Sequence, residues 1–114
     1  MSRVSDERVA RNDAVFRDAN ERIRDAAVRH DVSERIPFLC ECADERCSEI
    51  VRLSLAEYEA VREDATRFVN APDHHLPFAR SERLVERRDG YDVVEKTGAA
   101  AGIVEELDPR KPDT

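Results

Sequence analysis

Phe38-Leu39-Cys40-Glu41-Cys42-Ala43-Asp44-Glu45-Arg46-Cys47 holds all three cysteines of the chain within eight positions. The run 36–40 before the loop and Ile50–Leu53 after it read as strands. In an extended backbone residues i and i+2 face the same side, so Cys40 and Cys42 can converge on one point. The loop 43–46 lets the chain turn back and bring Cys47 to that point. Three thiolates at a strand–loop–strand corner suit a soft, tetrahedral metal, zinc first. A structural zinc takes a fourth ligand, and the next loop offers His74-His75. The expected metal site is therefore Cys40, Cys42 and Cys47, with His74 or His75 as the fourth ligand.

Other readings of the cysteines stand beside this one. Two of three could pair as a disulfide, or the thiols could stay free with Cys42 or Cys47 reactive, or simply pack. An iron–sulfur cluster is a minority form of the metal reading, because four cysteines are usual there. The spacing matches no pair of C-x2-C knuckles. Residues 1–11 are charged and lack the apolar core of a signal peptide, so a cytoplasmic location is expected, where lasting disulfides are rare.

Composition bounds the rest. The 114 residues make one domain with a modest core, since 40% are apolar, 5% aromatic and 39% charged. A metal would matter to such a chain, because structural zinc binding of about 10–16 kcal/mol rivals the whole stability of an ordinary domain. Nineteen Lys and Arg stand against 26 Asp and Glu, a net charge of −7. That balance gives no electrostatic reason to expect nucleic acid or an anionic membrane as partner. No apolar run is long enough to span a bilayer. Nearly all the basic residues are Arg and Gln is absent, which reads as codon bias of a GC-rich bacterial genome.

The expected fold is α+β: a long N-terminal helix, a small antiparallel sheet with the cysteine-rich strand corner, one short capped helix and a C-terminal β-hairpin. A single domain covers 1–107, with helix and connector in 1–35, the metal-site region in 36–107 and a frayed tail in 108–114. From Asp6 to Arg29 there is no Gly or Pro. Val9, Phe16 and Ile23 recur at seven and predict a narrow apolar stripe. Glu7–Arg11, Asp13–Arg17, Asp18–Arg22 and Asp25–Arg29 are placed as i, i+4 ion pairs on the other faces. Asn12 and Asn20 flank the stripe. Buried, they could fix the register of a helix pair between two chains; the preferred reading has them bonding water or a loop backbone. His30 reads as a cation beside the helix C-terminus.

Ser54-Leu55-Ala56-Glu57 is a capping box, with Leu53 and Tyr58 as its hydrophobic staple, opening a helix to about residue 64. Arg67–Asn70 reads as a short strand, and 71–80, with two prolines and two histidines, as a loop. The segments 82–87 and Tyr91–Lys96 flank Arg88-Asp89-Gly90 as a hairpin. A three-residue loop there sets Glu82 opposite Lys96, Arg83 opposite Glu95 and Val85 opposite Val93. A two-residue Asp89-Gly90 loop would set Leu84 against Glu95, so cross-strand charge pairing favours the first. Residues 99–107 read as a short helix or a strand.

The strings FLCECAD followed by Cys47, LSLAEYEAVR, RFVNAPDH and ERLVERRDGYDVVEKTG, with NDAVFRDANERIR near the start, resemble an uncharacterised family of small actinobacterial proteins. The likeness spans most of the chain. It implies a defined fold and no activity, and it favours His74 as the ligand that joins Cys40, Cys42 and Cys47, with His75 as the fallback.

Two function classes follow. The first is a small metal-binding protein, with structural zinc, acting as a protein-interaction or regulatory module. Its partner would be another protein, with a homodimer through the N-terminal helix as one form. The second is a cytosolic thiol/redox protein or small enzyme using a cysteine. No serine-centred motif, Gly-rich phosphate loop or H-E-x-x-H supports a hydrolase. Glu41, Asp44 and Glu45 lie close to the thiols in sequence and should raise their pKa, which argues against an activated nucleophile.

Overall fold

The structure, a computed structural model, describes residues 6–42, 44, 46–74 and 82–111. His75, Ala43 and Glu45 lie outside the described residues, so the fallback ligand is among those not described. The chain runs α1 (Asp6–Arg29), β1 (Ile36–Leu39), β2 (Ile50–Leu53), α2 (Leu55–Arg62), β3 (Arg67–Asn70), β4 (Glu82–Arg88), β5 (Tyr91–Lys96) and α3 (Gly98–Glu106). This is an α+β fold, and the strands form two antiparallel sheets. One pairs β1 with β2; the other has the order β3-β5-β4. No helix among the described residues is long and apolar enough to cross a membrane. The ambiguous 99–107 segment is helical, as Ala99-Ala100-Ala101 favours.

α2 begins as its sequence demands. Ser54 Oγ accepts from Glu57 N at 3.1 Å and Glu57 Oε1 accepts from Ser54 N at 2.8 Å. Leu53 and Tyr58 are both fully buried. Tyr58 stacks on Phe38 with ring centroids 4.3 Å apart. The staple therefore also ties α2 to β1.

The C-terminal hairpin departs from the favoured three-residue loop at its turn and keeps the favoured charge pairs at its far end. Arg88 pairs with Tyr91 across a two-residue Asp89-Gly90 turn, Gly90 at φ 90. A bulge between Leu84 and Glu86 then takes Val85 out of the ladder, so Glu86, and not Val85, faces Val93. One extra residue restores Glu82↔Lys96 and Arg83↔Glu95 beyond it. The turn keeps the tight geometry and the distal end keeps its charge pairs.

α1 corrects the expected stripe. Val9 is buried, but Phe16 and Ile23 are only half-buried. The inner face is Ala10, Asp13, Ala14, Arg17, Asn20 and Ala27, roughly a quarter turn round the helix from the predicted one. Apolar periodicity missed it because half of that face is polar. Arg17 donates to Ala65 O at 2.6 Å and Val104 O at 2.7 Å, and its guanidinium lies 4.7 Å from the centre of the Phe68 ring. Asp13 meets Lys96 in an ion-pair contact, and Lys96 Nζ also donates to Glu82 Oε1 at 2.6 Å. Asp13 and Arg17 are thus not the surface pair expected of them, although Glu7–Arg11 is, at 3.1 Å. The stretch 108–111, expected to fray, is anchored: Asp108 pairs with buried Arg62, and Arg110 with Glu21 and Glu59.

Candidate metal centre

β1 and β2 pair from Ile36↔Leu53 to Leu39↔Ile50, and Cys40 N still donates to Glu49 O at 3.0 Å. The strand conformation therefore reaches the first cysteine. In the loop, Asp44 organises the return: its carboxylate accepts from Arg46 N and its carbonyl from Cys47 N, each at 3.0 Å. Such side-chain and backbone turns are what Asp supplies where a chain must reverse. His74 comes from the far side, in a turn after β3 closed by His74 N donating to Ala71 O at 3.1 Å.

The four candidate ligands meet. One ligand atom from each of Cys40, Cys42, Cys47 and His74 lies within 4.8 Å of all the others. His74 Nδ1 is 3.6 Å from Cys40 Sγ and 3.5 Å from Cys47 Sγ. In a tetrahedral zinc site with Zn–S of about 2.3 Å and Zn–N of about 2.0–2.1 Å, the S···N edge is about 3.5 Å. Cys40 and Cys42 are buried, while Cys47 and His74 are half-exposed, so the cluster opens to solvent on one side. A cluster of three thiols and an imidazole with these spacings can bind a metal ion such as zinc.

Proton sharing runs through the cluster. Cys42 is pulled down to about 5, chiefly by the hydrogen bond from Cys40, helped by His74, the Asp44 N–H and Cys47. Cys40 is pushed up because it holds the proton toward Cys42 and because it is buried. Burial likewise raises Cys47. The expectation that nearby acids would raise every thiol is corrected at Cys42, where hydrogen bonds from Cys40, His74, the Asp44 N–H and Cys47 outweigh burial and lower it.

Glu41 shows why. Alternation along the strand turns it away from the sulfurs on either side. It is 2% exposed, and its backbone N–H donates to Val69 O at 2.8 Å while its Oε1 accepts from Val69 N at 2.9 Å. Its Oε2 accepts from Asn20 Nδ2 at 2.8 Å. Asn20 in turn brackets Leu39, donating to its carbonyl at 2.9 Å and accepting from its N–H at 2.8 Å. Asn20, fully buried, therefore bonds a strand backbone and a carboxylate within its own chain. Glu41 and Asn20 together fasten the cysteine strand to β3 and α1. The i, i+2 rule that paired the cysteines also marks Glu41 as inward-facing, and a lone acid on an inward face signals a partner.

The residue after β3 adds a contact to the cluster itself. Ala71 N donates to Cys40 Sγ at 3.1 Å. A peptide donor on a metal-ligating thiolate draws off part of its charge and fixes its position. Asp92 Oδ2 accepts from Asp73 N at 3.0 Å, one residue before His74. Neither contact is marked by a motif, because both use backbone N–H groups. Compared with protein-family models, with curated proteins and with solved structures, the chain matches none.

Proposed function

We propose that Cys40, Cys42, Cys47 and His74 hold a structural zinc ion, and that the chain is a small zinc-stabilised protein-interaction or regulatory module. The observation that carries this reading is His74 Nδ1 standing 3.6 and 3.5 Å from two sulfurs at once. A neutral imidazole nitrogen can serve only one of two thiols as donor or acceptor, whereas equal spacing is what a shared ion requires. Four protein ligands close a tetrahedron and leave no position for a reacting water, which favours structure over catalysis. The thiolate-rich set also favours zinc over harder ions.

The partner in this reading is another protein, since a net charge of −7 would repel a phosphate backbone. A homodimer through α1 would have Val15 and Val28 as its exposed large apolar side chains. Sedimentation over a range of concentrations tests it, and a monomer throughout removes it. The lowered Cys42 thiol favours a second reading, a thiol/redox protein. Metal analysis of protein purified without added metal separates the two. About one zinc per chain supports the module, and metal-free, fully folded protein transfers the argument to the thiol.

A further inference from the structure

The turn that carries His74 is braced from outside the cluster. Resting on the metal-site reading above, we infer that Asp92 is a positioning residue for the centre, fixing the backbone of Asp73 and thereby aiming His74 at the three sulfurs. Asp92 lies on β5 opposite Asn70 and is 2% exposed. Its carboxylate reaches past the end of the β3 ladder to accept from Asp73 N at 3.0 Å. Asp73 has φ 64, in the left-handed region where a residue with a Cβ is strained and where Asp is tolerated better than most. Strain of that kind persists only where the surroundings over-determine the conformation.

Three backbone groups of the turn are fixed, each by a different partner. Ala71 N is held by Cys40 Sγ, Ala71 O by His74 N, and Asp73 N by Asp92. The first two join the turn to the cluster and to itself. The Asp92 bond is the buried one that ties Asp73 to the three-stranded sheet. Asp73 also pairs with Arg87 of β4 at 3.2 Å, but that ion pair is exposed on both sides and cannot hold a backbone angle against solvent. Without the buried acceptor, Asp73 can relax to an ordinary φ, which swings the next residue, the imidazole donor, off the tetrahedral corner.

The test is zinc affinity of the full chain, read by competition with a chelating indicator. Asp92→Ala should weaken zinc binding about 10–100-fold, the range for residues that orient a metal ligand. Asp92→Asn, whose amide oxygen still accepts from Asp73 N, should stay within about threefold of wild type. Asp92→Ala/His74→Ala should bind no more weakly than His74→Ala alone, because both changes act through one ligand. With cobalt(II) in the site, the visible bands of Asp92→Ala should move toward those of His74→Ala. Folded Asp92→Ala with wild-type zinc affinity overturns the inference, and so does additivity of the two substitutions. Where Ala does not fold, Asp92→Val, suited to a strand, replaces it. If neither folds while Asn does, Asp92 belongs to the fold and not to the site, and the inference falls. A wild-type chain without zinc affinity removes the metal reading and this inference together, an outcome distinct from tight binding that ignores Asp92.

Discussion

At the cysteine corner, side chains from β1, the following loop and the turn after β3 gather round one point. Between α1 and the β4–β5 hairpin, a more fully buried set gathers round an ammonium. Lys96, Asp13 and Glu82 have side chains 0%, 1% and 3% exposed. Both regions bury polar groups that water would otherwise hold, yet they balance differently. The cluster's ligands can be satisfied in full by one cation. The trio sets two carboxylates against one ammonium, and Asp13 Oδ1 meets no donor among the described residues. One region can be completed by a bound cation, and the other sets a second carboxylate against a single ammonium, so burial keeps Asp13 protonated up to about pH 7. Stability and sensitivity to conditions should therefore divide along this line.

The largest effect is expected at the corner. Removing metal with a strong chelator, or Cys47→Ser, should lower the thermal midpoint by tens of degrees, since structural zinc contributes about 10 kcal/mol or more. Circular dichroism melts with metal content verified check this, and an unchanged midpoint ends the structural role. Next comes the trio: Lys96→Met leaves two buried carboxylates facing each other and should cost about 3–5 kcal/mol in urea unfolding. A loss below about 1 kcal/mol would mean the ammonium does not balance them.

Asn20→Ala tests the seam between the two regions. It removes both bonds to Leu39 and the one to Glu41, for an expected loss of about 2–3 kcal/mol. The loss should shrink in metal-free protein, where the cysteine strand is no longer held in place. Equal losses with and without metal would show the regions to be independent.

The smallest effect is a slope with pH. Burial raises Asp13 to about 7, against Lys96, which lowers it, and Glu82 and Glu41, which raise it further. A carboxyl raised in the folded state contributes stability that is complete below its unfolded value and lost as pH rises through the folded one. Between about pH 4 and 7 the wild type should therefore lose stability that Asp13→Asn keeps. Midpoints of the two proteins across that interval give the difference, and parallel curves would refute it.

The contrast also explains what was legible in the sequence. Cys40, Cys42 and Cys47 are a rare residue type crowded together, so spacing points them at one site; the next loop offers two adjacent histidines, and only the family resemblance favours His74. Ser54 and Glu57 announce α2 by a local rule, and Arg67–Asn70 and Tyr91–Lys96 fall where β-propensity and turn residues put them. Asp13, Glu82 and Lys96 are the commonest surface types, scattered over 84 positions of chain. Nothing local distinguishes them from solvated charges, and Asp13 even sits at i, i+4 spacing from Arg17. Val85 could not be read as a bulge because turn and cross-strand pairing each favoured a regular ladder. Asp92 binds a backbone N–H and Ala71 offers one, and backbone groups leave no trace in residue type.

One detail of the corner reaches beyond the site. β3 is the outermost strand of its sheet, and its outward-facing backbone groups at Val69 and Ala71 are taken by Glu41 and by Cys40 Sγ. A bare strand edge is a template for pairing with another chain, and proteins ordinarily blunt it with charge, proline or a covering element. Here the blunting is done by a carboxylate and a sulfur of the cysteine stretch, which a bound metal would organise. Losing the metal should then uncover an adhesive edge, so that demetallated protein clumps before it unfolds. Light scattering that rises at chelator levels where α1 keeps its helical signal is the expected sign.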